Sequence, residues 1–315
     1  MSSYVTLSNG VRMPVLGLGT WKSDPLLTAA AVEEALLCGY RHIDTAWIYF
    51  NQKEVGEGIR RALKKGIERS DIFITSKLWM IHYSPDRVAE AVNEILSDLG
   101  LSYLDQIVLH WPVAWKYHPE ISDIYQRALP VNQNGESDVI EDFNLSSTWK
   151  VLEDLYETGI LKSIGLSNFN QKEVEHIISE CRVVPHVLQI EVHPFLPQTE
   201  LAEYCSMKDI QIVAYSPLGS PGVKGVFDVL ENRIIASVAK KHETFSANIA
   251  IRWSLQRGFV VIPKSTTPER IRSNVNVFGF ELTDDEMIEI GMLSKEKTIR
   301  AYNPEFRAGG VKVFM

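Results

Sequence analysis

Eight short apolar runs, with helical stretches between them, constrain this chain more than any single residue does. They are Val15–Gly19, His42–Asp44, Phe73–Lys77, Ile107–His110, Ser163–Ser167, Val187–Glu191, Ile212–Tyr215 and Val260–Pro263. Strands that alternate with helices in this way pair in parallel, and eight of them predict a closed (β/α)₈ TIM barrel of the α/β class rather than an open sheet. The stretch from Ser84 to Gly100 shows the helical signal. Ser84 stands at a cap position, Pro85 fits a first turn, Gly100 fits a stop, and Val88, Val92, Ile95 and Leu99 recur on one face. Further helices are expected over Leu26–Cys38, Lys53–Lys64, Thr148–Thr158, Lys172–Ser179, Glu200–Ser206 and Ala247–Gln256, and Thr283 to Glu286 reads as a capping box. Before the first run, Tyr4–Leu7 and Val11–Pro14 flank Asn9-Gly10, the signature of a β-hairpin.

The 315 residues suit one such barrel, taken here as a single domain over 1–315. A net charge of −8 argues against a nucleic-acid partner, which needs a basic surface. Cys38, Cys181 and Cys205 are far apart, so neither a disulfide framework nor a zinc knuckle is expected, and a reducing cytoplasm is the simplest compartment. The opening MSSYVTLSNG lacks the pattern of a signal peptide, and no apolar run is long enough to span a membrane. Two stretches break the rhythm: a long loop over 112–147 and a tail over 302–315. Both are placed where they can lie over the barrel mouth.

In a barrel of this kind the chemistry sits at the C-terminal ends of the strands. Asp44, Lys77 and His110 close three successive runs, and Tyr49 follows the first. A phenol, an ammonium, a carboxylate and an imidazole gathered on one rim suit proton donation to a carbonyl. Tyr49 is the expected general acid. Lys77 would stabilise its phenolate, Asp44 would pair with Lys77, and His110 would orient a substrate oxygen. A zinc site from His42, Asp44 and His110 is the alternative reading of the same strand ends. Trp21, Trp79, Trp111 and Trp115 stand beside the rim residues and would line an aromatic pocket for an apolar or mixed aldehyde.

The segments Gly39-Tyr40-Arg41-His42-Ile43-Asp44-Thr45-Ala46 with Tyr49, Phe73-Ile74-Thr75-Ser76-Lys77-Leu78-Trp79 and Leu109-His110-Trp111-Pro112 occur in this order. Together they resemble the aldo-keto reductase family, of the aldose or aldehyde reductase type, from the hairpin to about Phe280. The resemblance implies NADPH as cofactor, bound without a Rossmann glycine fingerprint; Gly17-Leu18-Gly19 does not complete one. It further implies that Ser167, Asn168 and Gln189 meet the nicotinamide carboxamide and that Tyr215 stacks on the ring. Thr20, Trp21, Ser216 and Leu218 add contacts. Lys264, Ser265, Thr267 and Arg270 would hold the 2′-phosphate, and Asn274 the adenine. A small carbonyl substrate and a monomer are implied in the same way.

Two positions depart from the family pattern. Gly222 stands where many relatives carry an Asp that latches a loop over the pyrophosphate, with Lys22 and Lys264 as its lysine counterparts, so looser closure and faster cofactor release are expected. Ser273 replaces a common Glu near the adenine. A cofactor-sensing subunit with little turnover and a barrel hydrolase are the alternative functions open to the same fold.

Overall fold

A computed structural model describes residues 3–220, 229–307 and 310–314. A hairpin of β1 (Tyr4–Thr6) and β2 (Arg12–Pro14) precedes eight strands in one parallel sheet. These are β3 (Leu18–Gly19), β4 (His42–Asp44), β5 (Phe73–Leu78), β6 (Gln106–Leu109), β7 (Ile164–Ser167), β8 (Val187–Glu191), β9 (Gln211–Tyr215) and β10 (Val260–Ile262). Each pairs with the next in chain order. The parallel bridges Leu16↔Val261 and Gly19↔Lys264 join the first strand to the last and close the barrel. The apolar run expected over Val15–Gly19 is therefore ladder-bonded along its length, although only its last two residues form a regular strand.

The strands read as apolar runs because both faces are covered, by helices outside and by side chains within. Inside, Phe73, Val187 and Val260, each the first residue of its strand, pack with Val108, Val213 and Ile262. Leu7 and Met13 of the hairpin join this cluster, so the hairpin corks the N-terminal end. The larger core lies between strands and helices.

Most expected helices are present within a residue or two of their expected ends, among them Pro25–Leu37, Gln52–Leu63, Pro85–Leu99 and Ser246–Gln256, while Leu145–Glu157 starts three residues before the expected Thr148. Val88, Val92, Ile95 and Leu99 are fully buried on the inner face of Pro85–Leu99, and Gly100 ends it in the left-handed region at φ 69°. Ser84 holds the cap position, but its hydroxyl makes no capping bond. The Arg87 N–H it would serve is taken by the Ser84 carbonyl at 2.8 Å. The capping box at Thr283 and Glu286 is formed, and a second one joins Asn170 to Glu173. Helices absent from the sequence reading include Arg233–Lys241, the short Ile124–Ala128 inside the long loop, Pro268–Asn274 and the single turn Leu293–Glu296. Among the described residues no helix is long and apolar enough to cross a membrane.

Candidate active site

Strand register sets the site. Asp44 ends β4 and Lys77 lies near the end of β5, so their side chains meet inside the barrel mouth. Lys77 Nζ donates to Asp44 Oδ1 at 2.5 Å and to the Thr45 carbonyl at 2.9 Å. Asp44 Oδ2 accepts from Gln189 Nε2 at 2.8 Å across the barrel. Both members of the ion pair are almost fully buried. Burial pushes the Asp44 carboxyl up and the Lys77 amine down, while the attraction between them opposes both shifts. Such a pair is fixed in place, because removing either partner would strand the other's charge in a dry interior.

Tyr49 reaches the same spot from a 3₁₀ turn, Trp47–Tyr49, that follows β4. The Lys77 ammonium lies 5.0 Å from the centre of the Tyr49 ring, and His110 packs edge-on to it at 5.8 Å. The expectation that Lys77 lowers the phenol's pKa does not describe this arrangement. Burial foremost, then the neighbouring Asp44, Tyr215 and Tyr302, hold Tyr49 well above the ordinary phenol value. The hydroxyl is thus kept protonated, as a donor must be. Burial, and secondarily Lys77, press His110 well below its usual value, so it is a neutral imidazole. Its Nδ1 is buried without a hydrogen-bond partner among the described residues.

His42 takes no part. It is wholly buried, shares a hydrogen bond with the Thr75 hydroxyl at 3.0 Å, and is pushed down to about 3 by burial. Among the described residues no group of three or more His, Cys, Asp or Glu side chains is placed to hold a metal ion, and the zinc reading finds no geometry to rest on.

One continuous cleft of about 1130 Å³ runs from Asp44, Tyr49 and His110 past Ser167, Asn168, Gln189, Tyr215, Ser216 and Leu218 to Lys264, Ser265, Thr267, Arg270 and Asn274. Asn168 adopts φ 65° and donates to the His110 carbonyl at 3.0 Å and to the Ser167 hydroxyl at 3.1 Å. The Tyr215 hydroxyl donates to Asn168 Oδ1 at 2.7 Å, which pins the half-buried ring against the cleft. At the far end, Lys264 and Arg270 have no ion-pair partner among the described residues, and the Thr267 N–H donates to the Ser265 hydroxyl at 3.1 Å. Ser273 lines the same end.

Two expected contacts fall outside the lining. Thr20 is buried one layer behind it, with its hydroxyl bonded to the Asp44 carbonyl at 3.0 Å, so it braces β4. Trp115 likewise backs the wall, donating to the Phe306 carbonyl at 3.0 Å. Trp21, Trp79 and Trp111 do line the cleft. Sequence reading missed Leu129 from the long loop and Tyr302 and Phe306 from the tail, which complete the wall. Tyr302 packs edge-on to Trp21 at 5.1 Å and lies against Trp111 at 5.8 Å. Only the break in periodicity over 112–147 and 302–315 hinted at them. Gly222 lies outside the described residues.

A buried ion pair, a protonated phenol and a neutral imidazole thus share the C-terminal rim of a closed eightfold barrel. The model of the Aldo/keto reductase family matches residues 15–295. The chain is 44% identical over 293 residues to "Aldo-keto reductase family 1 member A1-A" of Danio rerio, covering 91% of this chain and 88% of that protein. It is 38% identical over 319 residues to an "NADPH-dependent D-xylose reductase" of Candida boidinii, covering 96% and 98%. The solved aldose reductase of Schistosoma japonicum superposes with a TM-score of 0.86 at 39% identity, covering 93% of this chain and 92% of that one. The chain belongs to the aldo/keto reductase family and is an oxidoreductase.

Proposed function

We propose that this chain reduces aldehydes, with aldoses or ketones as further candidates, to alcohols with NADPH, acting as a monomeric single-domain barrel. The observation that carries the reading is the single cleft that joins Tyr49 and His110 at one end to Lys264 and Arg270 at the other. Its residues fit the cofactor. Lys264 and Arg270, without an ion-pair partner among the described residues, flank the start of helix Pro268–Asn274 and suit a 2′-phosphate, with the Ser265 and Thr267 hydroxyls as further donors. Gln189 spends its Nε2 on Asp44, which leaves its carbonyl oxygen for the nicotinamide amide, and the pinned Tyr215 ring offers a flat face.

When bound, the cofactor supplies the hydride. The chain supplies the rest. His110, as a neutral imidazole, orients the carbonyl oxygen, and Tyr49 gives that oxygen its proton from the hydroxyl. The Lys77 ammonium, held by Asp44, stabilises the phenolate left behind. The aromatic walls exclude water and take the apolar body of the substrate.

The test is NADPH consumption followed by absorbance over a panel of aldehydes, aldoses and ketones, with NADH run beside it. Tyr49→Phe should lower turnover by at least about 10²-fold, the usual worth of a general acid, while NADPH binding is kept. Wild-type turnover in that variant would refute the assignment of Tyr49. Equal efficiency with both cofactors would refute the role of Lys264 and Arg270.

A further inference from the structure

Glu191 is the last residue of β8, two positions beyond Gln189 and so on the same face of the strand, one step nearer the rim. It is completely buried and does not line the cleft. Its carboxylate gathers three donors. Oε1 accepts from the Ala301 N–H at 2.7 Å and from His193 Nε2 at 3.0 Å, and Oε2 accepts from the Tyr302 N–H at 3.1 Å. The His193 proton is assigned to Nε2 because its partner only accepts.

Two of these donors lie 110 and 111 residues further along the chain. They belong to a segment without helix or strand, whose backbone N–H groups need acceptors from elsewhere. Other side-chain tethers of the tail act beyond this point: Trp115 on Phe306, Ser137 on Glu305, and the Arg307–Glu173 ion pair. At Ala301 and Tyr302 themselves the carboxylate is the tether. Tyr302 in turn packs on Trp21 and Trp111.

We propose that Glu191 is a positioning residue for substrate selection: it clamps the backbone of Ala301 and Tyr302 and thereby fixes the Tyr302 ring that limits how bulky a carbonyl substituent the cleft admits. The selectivity half of this rests on the reductase reading; the clamp does not. A carboxylate is required because three donors converge on two oxygens. A glutamine in its place would turn an NH₂ toward one of them, and a lost charge-assisted bond of this kind corresponds to roughly tenfold.

The experiment uses the full chain with Glu191→Gln, Tyr302→Ala and the double variant. Glu191→Gln should change the ratio of kcat/KM for a bulky aromatic aldehyde over a short-chain aldehyde by roughly tenfold, through KM. Its kcat for the short aldehyde and its NADPH affinity should stay near wild type. The double variant should be no worse than Tyr302→Ala, because Glu191 acts through Tyr302. Amide exchange at Ala301 and Tyr302 should be slow in the wild type and faster in Glu191→Gln. An unchanged selectivity ratio, or single effects that multiply in the double variant, would overturn the positioning role. Rapid exchange at both amides in the wild type would overturn the clamp without need of any variant. Were the wild type inactive on every carbonyl, the reductase reading would fall and the selectivity role with it, while the exchange data would still judge the clamp.

Discussion

His82 shows how a single side chain in this molecule ties stability to pH. It is buried in the 3₁₀ turn that follows β5, edge-on to Trp47 at 4.6 Å, and both ring nitrogens lack hydrogen-bond partners among the described residues. Burial, then Arg87 and Arg127, push it down to about 3. Between that value and the ordinary 6.5, the unfolded chain binds a proton that the folded one refuses. Stability is therefore whole above about pH 6.5 and is lost as pH falls toward 3, by about 1.4 kcal/mol per pH unit for each such group. His42 adds a second contribution of the same sign. His82→Phe keeps the aromatic contact and removes the titration. The slope of unfolding free energy against pH between 6 and 4 should drop by about one proton's worth; a slope as steep as wild type would contradict this. The candidate catalytic residues were legible because Asp44, Lys77 and His110 each close an apolar run and Tyr49 follows the first. What the sequence did not carry was their protonation. The ammonium beside Tyr49 suggested a lowered phenol, yet the dry surroundings outweigh it. Glu191 closes an apolar run like the others, but its bonds to Ala301 and Tyr302 left no mark in the sequence, since those partners lie over a hundred residues away.

At the scale of elements, contact between helices is set by where a side chain is missing. Gly56, in helix Gln52–Leu63, lies against the end of helix Pro85–Leu99. A Cβ there would come within 2.4 Å of the Leu99 carbonyl oxygen and 2.7 Å of its carbon. Alanine has the better helix propensity, by roughly 1 kcal/mol. The clash is with backbone, which cannot swing aside, and overpacking of this kind costs about 1–3 kcal/mol. Gly56→Ala should therefore lower the denaturation midpoint on balance, and a variant as stable as wild type would show that the two helices can separate freely. Element type was readable wherever the period was sustained. Helix Arg233–Lys241 carries the same signals in a shorter run, with Asn232 capping it and Ile235, Val238 and Ala239 buried on one face. The tail was not readable, because side-chain bonds to a distant strand and to the long loop hold it, and these leave no local period.

Across the whole molecule, the two ends of the barrel do different work. The N-terminal end is sealed by the hairpin, with Met13 wholly buried among Phe73, Val108 and Val187. Met13→Ala should cost about 2–5 kcal/mol of stability, the usual range for emptying such a site. Turnover per folded molecule should be unchanged, since Asp44, Lys77 and Tyr49 lie at the other end. A large loss of specific activity with intact folding would show that the two ends are coupled. The eightfold closure followed from counting strands, and it made the rim residues meaningful together.

Part of the cleft's wall comes from a different stretch of the chain than its floor. Asp44, Lys77, Tyr49 and His110 are carried by the first strands and the turns that follow them, whereas Tyr302 and Phe306 arrive from a ribbon stitched on afterwards. Grafting the corresponding ribbon of a relative onto this barrel should thus exchange its repertoire of substrates as a cassette, with the machinery for bond-making left as it was.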